Sequence, residues 1–234
     1  MKHIKIFSLT SEYETSKSGG TLITPNVSLI NEDNSVRYLP ELEDPYNGHE
    51  YVDLGLPSGL KWAKCNVGAS SPEEYGLYFA WGETTGYTAD DVTSGVRSFT
   101  QDEYNAGPAA SISANLTLEQ DAAHVNMGGN WRMPTKTEYQ ELIDNCDDTW
   151  TDDYNGTGIK GRIFTSKVNG KLVFFPAAGW GQNSFVFGVG SSNNHWSASW
   201  NLSSSAWSLD YSYGSPCLNK SLRYCGFPVR GVCE

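Results

Sequence analysis

The chain has 234 residues and a formal net charge of -11 at neutral pH, with 24 glycines and 13% aromatic residues against only 18% charged ones. Such an acidic balance excludes the clustered lysine and arginine that a nucleic-acid partner or an anionic bilayer would require. The length suits one large domain, or one domain with a small appendage, and the glycine and aromatic content favours a turn-rich fold pinned by tryptophans.

Residues 1–46 read as a β-rich arm or mounting module. HIKIF (3–7) and SVRYL (35–39) alternate apolar and polar residues, and between them a TLITPNVSLI run is interrupted by Pro25 and followed by a turn-like NEDN. The opening residues carry no apolar core of a secretion signal. No later run approaches the roughly 20 apolar residues of a membrane span, so no membrane insertion is expected. The stretch PELEDPYNGHE (40–50) reads as a linker.

The main domain is expected over residues 50–234. EYVDLGL, a PSG turn and LKWAKCNVG predict a hairpin, and PEEYGLYFAWGE (72–83) gathers aromatics around Gly76. Residues 84–128 show little periodicity and read as irregular loops, with a helical stretch within 115–125. Thr135, with Glu138 three residues on, forms a capping box ahead of Tyr139, Leu142 and Ile143, which predicts a helix. An acidic loop, DDTWTDDYNGTG, follows. Strands are then expected at GRIFTSKV, KLVFFPAAG, Trp196–Trp200, Ala206–Tyr211 and GFPVRGVCE, with Trp207, Leu209 and Tyr211 on one face and Ser208, Asp210 and Ser212 on the other.

The segment 191–219, SSNNHWSASWNLSSSAWSLDYSYGSPCLN, contains no Lys, Arg, Glu, Gln or Met, and Asp210 is its single charge. Serine, asparagine and tyrosine punctuated by tryptophan are the materials of binding paratopes, which combine adaptable hydrogen bonding with rigid aromatic area. A polar hairpin surface without a partner has the same composition.

Catalytic and metal signals are weak. Asp147, Asp148, Asp152 and Asp153 match no calcium loop and read as a solvated acidic loop. His3, His49, His124 and His195 are scattered, and His195 reads as a surface aromatic. No strained GxSxG elbow, phosphate loop or dinucleotide fingerprint occurs. The cysteines Cys65, Cys146, Cys217, Cys225 and Cys233 are odd in number and lack metal-ligand spacing, so most are expected as free thiols, with Cys65 buried beside Trp62. Arg132 and Arg230, each inside an apolar run, read as structural struts. No enzyme centre and no cofactor are expected.

VDLGLPSGLKWAKCNVGASSPEEYGLYFAWGE (52–83), NWRMPTKTEYQEL (130–142), FFPAAGW (174–180), HWSASW (195–200), AWSLDY (206–211) and GFPVRGV (226–232) occur in one order. This series resembles the Fibrobacter succinogenes major paralogous domain of gut bacteria and their phages, a relative of the C-type lectin-like fold. The family more often carries tyrosine where His195 stands and serine where Pro228 stands. The resemblance implies an α+β fold: a C-type lectin-like domain with small antiparallel sheets, one or two helices and long loops, whose C-terminal strands form a ligand-binding face. The Glu-Pro-Asn or Gln-Pro-Asp and Trp-Asn-Asp signatures of calcium-dependent sugar sites are absent.

The chain is also similar to the variable proteins of diversity-generating retroelements, whose final stretch is rewritten at adenines, mostly in AAC or AAT codons. Such codons yield Asn, Ser, Tyr, Asp, His, Cys, Leu, Pro, Gly, Ala and a few others, and never Lys, Glu, Gln, Met or Trp. The implied variable slots are Asn193, Asn194, Asn201, Ser203, Ser204, Ser208, Asp210, Tyr213, Ser215, Leu218, Asn219 and Tyr224, with Cys217 and Cys225 as further products. His195 and Trp200 join them as ligand-binding candidates, while Trp196 and Trp207 are implied scaffold. The arm at 1–46 is similar to openings of gut-phage structural proteins.

The expected function is therefore a retroelement-diversified ligand-binding protein, receptor-binding or tail-associated in a phage. Its partner would be a bacterial surface protein or glycan, and residues 1–46 would serve attachment to the particle or homo-oligomer formation. Its location would be the virion, or the bacterial cytoplasm before assembly. The alternatives are a fixed-ligand adhesin or glycan-binding module at the cell surface, in which Trp200, Tyr211 and Tyr213 stack on sugars, and an enzyme resembling the formylglycine-generating family through Cys217 and Cys225.

Overall fold

Tryptophan burial organises this chain. Trp62, Trp81, Trp131 and Trp196 are fully enclosed, and three of these indoles donate to main-chain carbonyls: Trp81 to Ser197 (2.8 Å), Trp131 to Tyr46 (2.7 Å) and Trp196 to Phe79 (2.8 Å). Each bond joins segments far apart in sequence, so the large apolar rings also fix how the chain crosses itself. The computed structural model describes residues 28–30, 36–38, 44–211 and 214–234. The chain divides into two units, Met1–Glu43 and Asp44–Glu234.

In the first unit, β1 (Ser28–Ile30) and β2 (Val36–Tyr38) pair antiparallel with Leu29 opposite Arg37. The strand expected at 3–7 lies outside the described residues. In the second unit, Asp44–His49, read from sequence as part of a linker, is bound to the domain. The Asp44 carboxylate accepts from the amides of Tyr46 and Gly48, Asn47 Nδ2 donates to the Met127 carbonyl (2.7 Å), and the Asn130 amide donates to Pro45 (2.8 Å).

The expected hairpin forms as β3 (Tyr51–Asp53) and β4 (Lys61–Asn66), and the C-terminal strand β13 (Arg230–Cys233) adds to the other edge of β4. Three further antiparallel sheets follow: β5 (Cys146–Thr151), β6 (Gly161–Ser166) and β7 (Leu172–Pro176); β8 (Trp180–Gln182) with β9 (Phe185–Phe187); and β10 (Asn193–Leu202), β11 (Ser205–Tyr211) and β12 (Cys217–Leu222). The architecture is mixed α+β, with several small antiparallel sheets and a few short helices.

Residues 84–128 are not the irregular loops that their weak periodicity suggested. They hold α1 (Ala89–Thr93), α2 (Gln101–Asn105), two single 3-10 turns and α3 (Ala122–Met127). Helices of five or six residues are too short to display an amphipathic repeat, and their caps nucleate them: Thr88 with Asp91, Thr100, and Asp121, whose carboxylate accepts from Ala123 and His124. The expected capping box is present in α4 (Lys136–Asn145), where Thr135 and Glu138 exchange hydrogen bonds and Tyr139 and Leu142 are buried.

The acidic loop is likewise corrected. Asp147 and Asp148 stand on strand β5, which pairs with β6. Cys65 is half-buried, not enclosed beside Trp62, because the two lie three apart on β4 and so face opposite sides. One close approach ties the insert to the C-terminus. Gly181 and Gly226 exchange main-chain hydrogen bonds (2.7 and 2.8 Å), and the buried Phe99 ring lies where a side chain at either glycine would stand.

Candidate ligand-binding site

The sheet β10–β11–β12 carries the serine- and asparagine-rich segment, and its centre is covered on both faces. One face sends His195, Leu209 and Tyr211 towards α4, where Tyr139 and Leu142 pack. The other sends Trp196 and Ala206 into the cluster of Phe79, Trp81, Phe227 and Val229. What remains accessible among the described residues is the outer strand β12, the 202–205 hairpin turn and residues 214–215 ahead of β12. The expected alternation along β11 holds, with Trp207, Leu209 and Tyr211 on one face and Ser208 and Asp210 on the other, but Ser208 is fully buried and shares a 2.8 Å hydroxyl contact with Ser221.

Three residues read from sequence as ligand-facing are internal: Asn193, His195 and Ser208 have no exposed surface. Composition marked them as polar, and their hydrogen bonds are satisfied inside. His195 Nε2 lies 3.0 Å from Asn66 Oδ1, an acceptor that also receives Arg230 Nε at 2.9 Å, so Nε2 carries the ring proton. His195 Nδ1 then accepts from Asn193 Nδ2 at 3.3 Å, and that amide also reaches the Pro176 carbonyl (2.9 Å) and the Tyr211 hydroxyl (3.0 Å). The imidazole sits edge-on to Phe175 and stacks near Tyr211. Burial, and next the charge of Arg230, hold its pKa well below the usual histidine value. The same network makes Tyr211 internal, so it cannot stack on a sugar.

The other candidates reach the surface to different degrees. Ser203, Ser204, Ser215 and Asn219 are exposed, while Asn194, Asn201, Asp210 and Leu218 are half-buried. Asn219 Nδ2 donates to Asp210 (3.1 Å), and Asn201 Nδ2 donates to the Ser205 hydroxyl (2.8 Å). Trp200 is half-buried against the Trp196 cluster and its amide donates to Asn115 Oδ1. Tyr224 is also half-buried, its hydroxyl 3.3 Å from Gln182 Nε2. Tyr213 lies outside the described residues.

Two buried arginines hold this surface in place. Arg223 donates to the carbonyls of Ile112 (3.0 Å), Ser203 (2.9 Å) and Ala109, with the Trp81 and Tyr104 rings against its guanidinium, and its amide donates to Ser204. It thus clamps the 203–204 turn to the insert through main-chain atoms, leaving the serine side chains free. Arg230 does the same beneath the sheet through Ala63, Lys64 and Phe174 carbonyls, and burial lowers its pKa to about 10. Among the described residues neither forms an ion pair with a carboxylate. Arg132, the other strut expected from sequence, makes a two-pronged pair with Glu138 and also donates to the Met133 carbonyl (3.3 Å).

Sequence reasoning missed several surface features. Lys136 Nζ lies 3.8 Å and Lys220 Nζ 5.3 Å from the Trp207 ring centroid. The exposed Leu202 and Leu222 both stand opposite Ser205. Phe185, Phe187 and Val189 project from the β8–β9 hairpin, whose turn places Asn183 and Ser184 in the left-handed region. The alternation of QNSFVF around an Asn-Ser turn was the available signal for that hairpin.

The acidic residues of 147–153 are engaged singly. Asp148 pairs with Arg162, Asp152 with Lys160 (3.3 Å) and Asp147 with Lys167 (3.8 Å), and Asp153 accepts from the Gly158 amide (2.6 Å). Among the described residues no group of three His, Cys, Asp or Glu side chains gathers as metal ligands. All five cysteines are free thiols; Cys217 is exposed on β12, whereas Cys225 is buried and its pKa is pushed up to about 11. No helix among the described residues is long and apolar enough to cross a membrane. No family model matches the chain, and neither does any curated protein or solved structure.

Proposed function

We propose that residues 44–234 form a C-type lectin-like ligand-binding domain whose surface within 191–224 is diversified by a retroelement. In this reading the protein is a receptor-binding or tail-associated component of a phage, and its target is a bacterial surface molecule. The observation that carries the reading is a partition within one segment. Trp196, Leu209, Tyr211 and Arg223 build the support and are buried, while Ser203, Ser204, Ser215 and Asn219 are exposed on turns and an outer strand. Side chains at the exposed positions are replaceable without moving the backbone, because the 203–204 turn is fixed through carbonyls. A few aromatic or charged anchors among them would then carry most of the affinity.

The test is genetic. Flanking DNA should hold a reverse-transcriptase gene and a near-identical copy of the final stretch of this gene that differs only at adenines. A contiguous sequence without either removes the diversification part of the reading. A fixed-ligand adhesin is the second reading, favoured by the exposed Phe185, Phe187 and Val189, which lie before the serine-rich segment. A glycan or cell-surface binder whose signal falls on Phe185→Ala and Phe187→Ala, and not on changes at Ser203 or Asn219, would select it.

A further inference from the structure

The face of the β10–β11–β12 sheet that α4 covers is covered only in part. Beyond Leu209 and Leu218 the next residues on this face are Trp207 and Lys220, directly opposite one another, and then Leu202, Ser205 and Leu222 in a row across three strands. Leu202 is 58% and Leu222 45% exposed. Lys136, the first residue of α4, and Lys220 both bring their ammonium groups to the Trp207 ring. Among the described residues neither lysine forms an ion pair, whereas seven of the other ten cations within 44–234 do, and the chain's net charge is -11. Beside this patch β12 is the outer strand of its sheet, pairing among the described residues with β11 alone, and its Lys220 amide donates to Asn219 Oδ1 (2.8 Å).

We propose that the β12 edge and this patch receive an extended acidic segment of a partner protein by strand addition. Its main chain continues the ladder along β12, its carboxylates meet Lys220 and Lys136, and an apolar side chain covers Leu202 and Leu222. Charge complementarity selects an acidic occupant, and two observations favour a polypeptide over an acidic glycan. Sugar stacking needs an open aromatic face, and Lys136 occupies the Trp207 ring at 3.8 Å. Exposed leucines on the same face as Lys220, Leu222 two residues along β12 from it, match a strand that carries an acidic and an apolar side chain two residues apart on one face. The inference rests on the ligand-binding reading above and adds a constant element to it: lysine and tryptophan are not products of adenine substitution in AAC or AAT codons, so this site persists while neighbouring positions change.

The probe is a capped synthetic peptide of repeating Glu-Thr-Val-Thr, which sets glutamate and valine on one face of a strand, titrated into the isotope-labelled full chain while the amides of β12 and the Trp207 indole N–H are followed by NMR. These signals should shift together, and the Lys136→Gln, Lys220→Gln double variant should bind about five-fold more weakly. The glutamine version of the peptide should lose a similar factor, and a version N-methylated at every residue should not bind. Equal binding of the glutamate and glutamine peptides, or binding that leaves the β12 amides unmoved, overturns the proposal. So does a titration in which no peptide binds. An oligouronate that shifts the Trp207 indole where the peptide does not would also overturn it, while leaving the ligand-binding reading in place, since that reading is decided by flanking DNA.

Discussion

Protonation of His195 should destabilise this protein in mild acid, and the structure gives the sign and the size. The ring is wholly buried, donates through Nε2 to Asn66 and accepts through Nδ1 from Asn193, so a second ring proton would face an amide N–H beside the Arg230 guanidinium. Its folded pKa lies well below that of the unfolded chain, about 6.5. The unfolded state therefore takes up the proton first. The contribution is complete above that value and is lost as pH falls through and below it, towards the folded pKa. With an unfolded pKa of about 6.5 the loss is at most about 2 kcal/mol between pH ~7.5 and ~5.0, with a limiting slope of ~1.4 kcal/mol per pH unit. The comparison protein is His195→Gln, whose amide can donate to Asn66 and accept from Asn193 without titrating. Urea unfolding across this range should show the wild type falling further than the variant, by up to about 2 kcal/mol. Glu83 and Asp121, whose carboxyl pKa values burial raises, are common to both proteins and cancel in the difference. Parallel curves would refute the assignment of His195 as an enclosed neutral ring.

Other outcomes follow from the same geometry. Arg223→Leu should lower the unfolding free energy by about 3 kcal/mol or more, since three carbonyls lose a charged donor in a buried place; urea midpoints measure it. Hydrogen exchange in that variant should accelerate first at residues 203–205. Gly179→Ala should cost at least about 3 kcal/mol, because its φ is +70° and a Cβ would stand 1.9 Å from the Phe187 carbonyl. Gly190→Ala, at φ +73° with open space around it, should cost only about 1–2 kcal/mol in thermal unfolding. Tyrosine or aspartate at Ser203, Ser204, Ser215 or Asn219 should change stability by no more than about 0.5 kcal/mol. Ser208→Tyr should fail to give a cooperative unfolding transition, having no space at a fully buried position.

Legibility from sequence tracked the length and periodicity of each element. Helix α4 was visible because ten residues suffice for a capped apolar face, and β11 because Leu209 and Tyr211 alternate with polar neighbours. The five-residue helices α1 and α2 were not, since their stability comes from Thr88 and Thr100 caps and from tertiary contact. Strand β5 looked like a loop because CDDTWT carries two aspartates, yet Arg162 and Lys167 neutralise them across the β6 side. At the site, the segment was found by composition but its inside and outside were not separable. Asn193, His195 and Ser208 have the same residue types as their exposed neighbours, and only the fold shows that Asn66, Pro176, Tyr211 and Ser221 satisfy them internally. Lys136 stands 71 residues upstream of Trp207, a pairing that no local pattern reveals.

The most direct test of the ligand-binding account is deep sequencing of this gene's final segment across a natural population of its source. The account predicts amino-acid changes at the codons of Asn194, Asn201, Ser203, Ser204, Asp210, Ser215, Leu218, Asn219 and Tyr224, restricted to substitutions at adenines. It predicts constancy at Trp196, Trp207, Lys220 and Arg223. An invariant segment, or changes spread evenly over buried and exposed codons and over all four bases, would contradict it.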